Sequence, residues 1–478
     1  MDWLEEHNPM KIHWKHKWMS LPHKGANMVL HGSSPEVPVG TVVHVCSVEV
    51  STADSVEVSI PPEVQQLLED FAVLFEVPTD LPPPRDCDHS IPLIAGAAPV
   101  QVRPYRYAPA LKDEIEAQVK EMLKNGIIQK SNSPFSSSII LVKKKDNTWR
   151  FCVDYRNLNA ITIKYKYPVL VIDEFLDELA KASWFTSLGL RAGFHQIRFK
   201  PGEEFKTAFQ THFGKFEFKV MAFGLTGAPG TFQSAMNGTL APYLRKFVLV
   251  FFDDILIYSQ SYEEHIIHLK MVFELLDRDH WKIKLTKCSF AHCSLRYLGH
   301  VISEAGVGTD PEKVAVVAHW PVPKNVKELR GFLGLAGYYG KFVKNFGVIS
   351  RPLTELLRKN TLFSWASHND SSFEALKQAL CSAPVLALPD FSLPFSIETD
   401  ASGQGVGAVL MQNGHPLAFI SKALGPKSQG LSTYEKEYLA ILLDVQQWRS
   451  YLQHFEFLIY TDQKSLSQLT EQRLHTHW

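Results

Sequence analysis

The chain has 478 residues with 49 Lys and Arg against 50 Asp and Glu, a net charge of −1, and is 45% hydrophobic and 21% charged. That length suggests about three domains and excludes a small stapled scaffold, while the composition excludes a disordered or collagen-like chain. The cysteines, scattered except for Cys288 and Cys293, read as reduced intracellular thiols; no apolar run reaches the roughly 18 residues of a membrane helix, and the acidic start Asp2, Glu5, Glu6 is unlike a signal peptide.

The charge is segregated. Residues 1–89 hold 5 basic and 14 acidic side chains, 90–220 hold 20 and 13, and 221–478 hold 24 and 23. Only the middle segment suits a polyanion. In chain order, residues 1–32 carry short alternating runs such as Met28-Val29-Leu30 and read as the end of a small β unit, followed by a Ser- and Pro-containing linker. Pro61-Pro62-Glu63 opens an amphipathic helix through Leu67, Phe71 and Leu74, and Pro82-Pro83-Pro84 marks an extended connector. Leu111, Ile115, Val119, Met122 and Leu123 fall at helical spacing, with Asn125-Gly126 as the stop. Residues 138–142 and 148–153 predict a hairpin around the basic turn Lys143-Lys144-Lys145-Asp146-Asn147. A helix over 172–181 and strands over 184–190 and 215–223 follow, giving a mixed α+β pattern.

Residues 248–258 then read as two apolar strands joined by Asp253 and Asp254. Adjacent carboxylates repel at a turn between buried strands, and a divalent cation would remove that repulsion. Phe251-Phe252-Asp253-Asp254 resembles the palm signature of reverse transcriptases of gypsy-type LTR retrotransposons. Further blocks stand in the same order as in that family: Ser133-Pro134-Phe135-Ser136-Ser137, residues 149–156, Phe223-Gly224-Leu225 with Thr231-Phe232-Gln233, Tyr297-Leu298-Gly299-His300, and Leu329-Arg330-Gly331-Phe332-Leu333-Gly334. The resemblance covers residues from about 90 onward.

It implies an α+β right-hand polymerase of fingers, palm and thumb/connection, followed by an incomplete ribonuclease H-like domain. The implied divisions are 1–32, a remnant of an aspartic protease; 33–90, a linker with a short helix; 91–304, fingers and palm; 305–383, thumb/connection; and 384–478, the ribonuclease H-like part. Asp253 and Asp254 would hold metal, Lys144 and Arg150 would grip the incoming triphosphate, Phe194 would stack under the sugar, and Phe223 to Gln233 would line template and nucleotide. The implied activity is RNA-directed DNA polymerisation with ribonuclease H. Two Mg²⁺ would serve each active site, with Mn²⁺ an alternative, and RNA template, DNA primer, RNA–DNA hybrid and dNTPs would be the partners. The implied setting is intracellular, in a cytoplasmic virus-like particle or the nucleus, beside protease and integrase segments of a larger polyprotein.

One position departs from the pattern. Two-metal nucleotidyl transfer needs a third carboxylate from a neighbouring strand, and the family places it where this chain has Gly189, in Phe185-Thr186-Ser187-Leu188-Gly189-Leu190. No Asp or Glu occurs between Glu178 and Glu203, so the polymerase step is expected to be impaired, by about a thousandfold or more. Ala222, Gly227 and Gly230 also depart from the family's usual residues. The alternative function is a non-catalytic nucleic-acid-binding remnant of a decayed retroelement.

Beyond residue 384 a second acidic set emerges. Asp400 ends a strand, Ser432 with Glu435 caps a helix that carries Glu437, and Asp462 ends a later strand. These resemble the metal-binding carboxylates of ribonuclease H, whose last carboxylate is expected beyond Trp478. Cys288, His292, Cys293 and His300 fit no closed zinc spacing, and no Asp-Thr-Gly or Asp-Ser-Gly triplet supports protease chemistry.

Overall fold

The computed structural model describes residues 60–463 except 144–146, 148, 165–166, 169–170, 360 and 454–455, together with the backbone of three short strands before residue 32. Those strands, β1 (Lys11–His13), β2 (Trp18–His23) and β3 (Ala26–His31), form an antiparallel meander within a unit spanning 1–59. Residues 60–478 form a second unit.

The second unit begins with α1 (Pro62–Asp70), carrying Pro at its first turn, and α2 (Pro109–Lys124), which buries Ile115 and Val119. Strands β4 (Ile128–Lys130), β8 (Phe209–Thr211) and β9 (Gly214–Phe218) make a three-stranded sheet, and β5 (Ser138–Lys143) pairs β6 (Trp149–Asp154) as the expected basic hairpin. The strand predicted over 215–223 ends at Phe218, and the chain turns sharply at Gly224, whose φ is +92°. The helix predicted over 172–181 is shorter, α3 (Ile172–Asp177).

The apolar run at 248–258 becomes the centre of the fold. Strands β10 (Val248–Phe251) and β11 (Asp254–Ser259) pair antiparallel and join β7 (Trp184–Gly189) and β12 (Ser289–His292) in the order β10-β11-β7-β12. Side chains alternate across a pleated strand. Val248, Val250, Ile255 and Ile257 therefore pack with Phe232 and Met236 of α4 (Ala228–Leu240) and Leu269 and Phe273 of α5 (Tyr262–Arg278). Leu249, Leu256, Tyr258 and Phe185 face the opposite way, against Phe175 of α3 and against Phe332 and Phe373 of two later helices. Burial on both faces explains why these strands read as unbroken apolar runs rather than an apolar–polar alternation.

A meander of β13 (Ser294–Tyr297), β14 (His300–Ser303) and β15 (Gly306–Thr309) leads to α6 (Pro311–Ala318), α7 (Val326–Tyr338) and α8 (Ser367–Cys381). The last part is a four-stranded sheet of order β18-β17-β16-β19, from β16 (Phe395–Ala401), β17 (Gly405–Gln412), β18 (His415–Ala423) and β19 (Phe457–Tyr460), with α9 (Thr433–Gln447) against it. None of the described helices is long and apolar enough to cross a membrane.

Candidate active sites

The palm aspartates sit at the tip of the β10–β11 hairpin. The two-residue turn is Phe252-Asp253, not the aspartate pair itself: Phe251 pairs Asp254 across the hairpin, and Phe252 takes the left-handed conformation at φ +51°. That strain is held from below. Gln233 of α4, 5% exposed, donates through Nε2 to the Val250 carbonyl at 2.9 Å and accepts the Phe252 N–H at Oε1 at 2.7 Å, bonding the backbone on both sides of Phe251. The sequence places Gln233 in a nucleotide-lining block; its work as a brace appears only in three dimensions, although a polar residue on an apolar helix is a signal for it.

Asp254 is exposed and Asp253 half-buried. Loss of hydration, and then the negative charge of Asp253, push the Asp254 carboxyl above the ordinary carboxylate range, while Lys287 pulls it down. The next strand brings no third acid. Asp254 pairs directly with Gly189 at the end of β7, and the Leu190 N–H donates to the Asp253 carbonyl at 3.4 Å.

The expected sugar and nucleotide residues gather beside this turn. Glycine at 193 lets the backbone approach closely, since a Cβ there would lie 2.9 Å from Phe232 Cζ and 3.4 Å from Asp253 Cβ. This close approach sets the following Phe194 edge-to-face on Phe223 at 4.8 Å and on Phe232 at 5.2 Å, with Phe223 46% exposed. Arg150 is exposed on β6, across from Val142. Lys144 lies outside the described residues. Leu298 and Gly299 form the β13–β14 turn, both at positive φ, as a two-residue hairpin requires. The Tyr338 and Tyr339 hydroxyls donate to the Leu298 and Gly299 carbonyls, each at 2.6 Å, and clamp that turn.

The second site follows from strand register. In the parallel pair β16–β19, Glu398 stands beside Tyr460. Two residues further along each chain come Asp400 and Asp462, on the same side at the strand ends. Helix α9 supplies the third acid. Its capping box is the one read from sequence: Glu435 N–H donates to Ser432 Oγ at 3.3 Å and Ser432 N–H to Glu435 Oε2 at 2.9 Å. Glu437, 1% exposed, accepts from the Ala401 N–H at 3.0 Å and from the Thr461 hydroxyl at 3.4 Å. Burial first, then the charges of Asp462 and Asp400, raise its carboxyl above the ordinary range. Oxygen atoms of Asp400, Glu437 and Asp462 lie within 4.8 Å of one another. Among the described residues this is the one trio of acid, imidazole or thiol side chains so arranged, and Cys288, His292, Cys293 and His300 form none. Three convergent oxygens, one of them buried and raised by its neighbours' charge, fit a hard divalent cation.

A family model for "Reverse transcriptase (RNA-dependent DNA polymerase)" matches residues 142–302, and one for "RNase H-like domain found in reverse transcriptase" matches 365–459. The chain is 42% identical over 375 residues to the retrovirus-related Pol polyprotein from transposon 297 of Drosophila melanogaster, covering 77% of this chain and 35% of that protein. It is 36% identical over 388 residues to the Pol polyprotein from transposon gypsy of the same organism, covering 77% and 38%. With the Tf2-3 transposon polyprotein of Schizosaccharomyces pombe it shares 34% over 415 residues, 85% and 31% of the two chains. It thus spans about a third of the length of these relatives. Among solved structures, foamy viral protease–reverse transcriptase in complex with dsDNA superposes with a TM-score of 0.78 at 22% identity, covering 86% of this chain and 87% of that one. The same viral protein in complex with an RNA/DNA hybrid gives 0.72 at 22% identity, covering 86% and 57%. At that identity the likeness is one of fold.

Proposed function

The chain belongs to the reverse transcriptase family of LTR-retrotransposon Pol polyproteins, and from that membership we propose that it holds an RNA template, a DNA primer and the hybrid they form, with nucleotidyl transfer impaired at Gly189. The carrying observation is the register of β7 on β11. Asp254 faces a residue without a side chain, where transfer between two metal ions needs a bridging carboxylate.

The remaining polymerase parts support substrate handling. The basic 90–220 segment, with Arg150 exposed on β6 and Lys144 among the lysines that follow β5 in sequence, would screen template and triphosphate charge. Phe194, which follows the Gly193 that lies against Asp253, stands edge-to-face on the half-exposed Phe223, a pair suited to the sugar and base of a dNTP. Asp400, Glu437 and Asp462 would hold Mg²⁺, with Mn²⁺ as the alternative, next to the RNA strand of a hybrid. A divalent ion bound there supplies Lewis-acid polarisation of phosphate and a more acidic water. The chain's own residues orient it: the Ala401 N–H fixes one Glu437 oxygen and the Thr461 hydroxyl the other. The setting proposed for this work is intracellular, in keeping with the free described cysteines.

Binding of a labelled RNA–DNA hybrid, titrated with salt, and divalent-dependent cleavage of its RNA strand test this reading. We expect salt-sensitive binding, and cleavage that disappears in Asp400→Asn. No hybrid binding at low salt would overturn the proposal. Binding without cleavage would favour the non-catalytic remnant, which Gly189 already suggests for the palm.

A further inference from the structure

The ribonuclease H-like part meets the rest of its unit on two unequal sides. On one, β18 packs backbone to backbone on residues 345–348: the Gly347 N–H donates to Ser421 Oγ at 2.6 Å, and a Cβ at 347 would lie 2.5 Å from the Ser421 carbonyl oxygen. Asn345, at φ +60°, turns the chain into this contact. On the other side lies a cleft of about 1010 Å³, walled by α3, by residues 388–391 and by α10 (Arg449–Leu452). It is spanned by two polar contacts. The Tyr451 hydroxyl donates to Asp177 Oδ2 at 2.6 Å, and Lys181 Nζ lies 2.8 Å from Asp390 Oδ2. Asp390 is fastened in turn to β17, whose Gln412 side chain exchanges two hydrogen bonds with its backbone, and Phe391 stacks on Tyr451 at 5.9 Å. From α3 the contact continues into the palm, where Phe175 meets Phe251, the residue before the Phe252-Asp253 turn, edge-to-face at 5.9 Å.

We propose that the ribonuclease H-like part hinges on the β18 contact and is latched shut against α3 by Tyr451 on Asp177 and Asp390 on Lys181, so that its acid trio holds one place relative to the Asp253 turn only while the latch is closed. The two sides differ in strength. Close backbone packing at Gly347 leaves no room to slide, whereas the Lys181 side chain is 60% exposed and an exposed ion pair holds little. The hydrogen bond to Asp177 therefore carries most of the latch. Its strength depends on the charge of that carboxyl. Burial raises it from 3.8 to about 6; the Tyr451 hydroxyl and Lys341 oppose this, and Asp173 and Glu174 of its own helix add to it. The other charges on this wall are already engaged, Asp173 by Lys341 at 2.6 Å and Glu178 by Arg245 at 2.7 Å. In an open cleft the carboxyl would return towards 3.8. Closure is thus favoured in full below pH ~4, and its equilibrium constant falls by about a hundredfold as pH rises through 6.

Hydrogen exchange of the full chain, without nucleic acid, tests this, with residues 248–256 and strands β16 and β17 as internal references. Tyr451→Phe keeps the ring on Phe391 and loses the hydroxyl; it speeds exchange roughly tenfold at 178–182 and 388–390, across the cleft from the change. Lys181→Met keeps the side-chain length without the charge and speeds exchange at 449–452 by about two- to threefold. Asp177→Asn, nearly unchanged in shape, slows exchange on both walls at pH 7.5, with the difference from the unaltered chain shrinking towards pH 4. Faster exchange confined to the segment that carries each substitution, or no slowing in Asp177→Asn at pH 7.5, overturns the proposal. Should one variant lose its fold, the reference strands report it and the other two decide. Because no nucleic acid is present, a failure of hybrid binding tells against the functional reading and leaves this result standing.

Discussion

Asp444 on α9 is 1% exposed, and its Oδ2 has no hydrogen-bond partner. Burial first, and the Glu437 charge least, raise its carboxyl from 3.8 to about 6, against the opposing effect of the neighbouring Thr399 hydroxyl. At about 1.36 kcal/mol for each factor of ten, that penalises the ionised form by up to about 3 kcal/mol. The sign follows from linkage: a carboxyl raised on folding leaves the fold undisturbed below pH ~4, becomes costly between about 4 and 6, and exacts its full cost above 6. Asp444→Asn removes the charge at nearly constant shape. It should therefore stabilise the α9–β16 region by about 2–3 kcal/mol at pH 7.5, with the gain shrinking towards zero near pH 4. Burial holds His89, His195, His265 and His300 at about 4, which gives the opposite pH dependence, but all four lie outside this region. Hydrogen exchange of peptides from α9 and β16 at several pH values reads the local opening free energy without assuming a single global transition. Equal or lower protection in Asp444→Asn at pH 7.5 would refute the reasoning.

Gln233→Ala leaves the Phe252 N–H and Val250 carbonyl without their partner and should loosen the β10–β11 turn by about 2–3 kcal/mol, seen as faster exchange at 248–256 with little change in α9. Glu437→Gln should raise the melting temperature of the metal-free chain, since it removes the most buried of three mutually repelling carboxylates. The same change should abolish the stabilisation that millimolar Mn²⁺ gives the unaltered chain; an undiminished Mn²⁺ shift would place the ion elsewhere.

Most of the palm was legible in sequence because its strands are buried on both faces and interrupted only by Asp253 and Asp254. The hairpin and the Ser432–Glu435 cap follow from local pattern, whereas Phe194, Phe223 and the departure at Gly189 were implied by the family resemblance. The turn itself shifted by one residue, since local preference cannot tell which residue Gln233 will hold at positive φ. Strand 215–223 was overextended: its ladder ends at Phe218, and Val220 makes only an isolated bridge to Arg198. What sequence could not supply were pairings between distant segments: Gln233 under Phe252, Tyr451 against Asp177, and Asp444 buried beneath β16. Each is fixed by packing, and Gln233 and Asp444 are polar side chains buried where polar groups usually stay at the surface.

Primer extension tests the central claim most directly: the unaltered chain, given an annealed RNA template and DNA primer, dNTPs and Mg²⁺, under conditions where it binds the hybrid. The account predicts no extension above background from this chain. Extension by the unaltered chain would contradict it, because the Asp253–Asp254 turn would then be transferring nucleotides without a third carboxylate from β7.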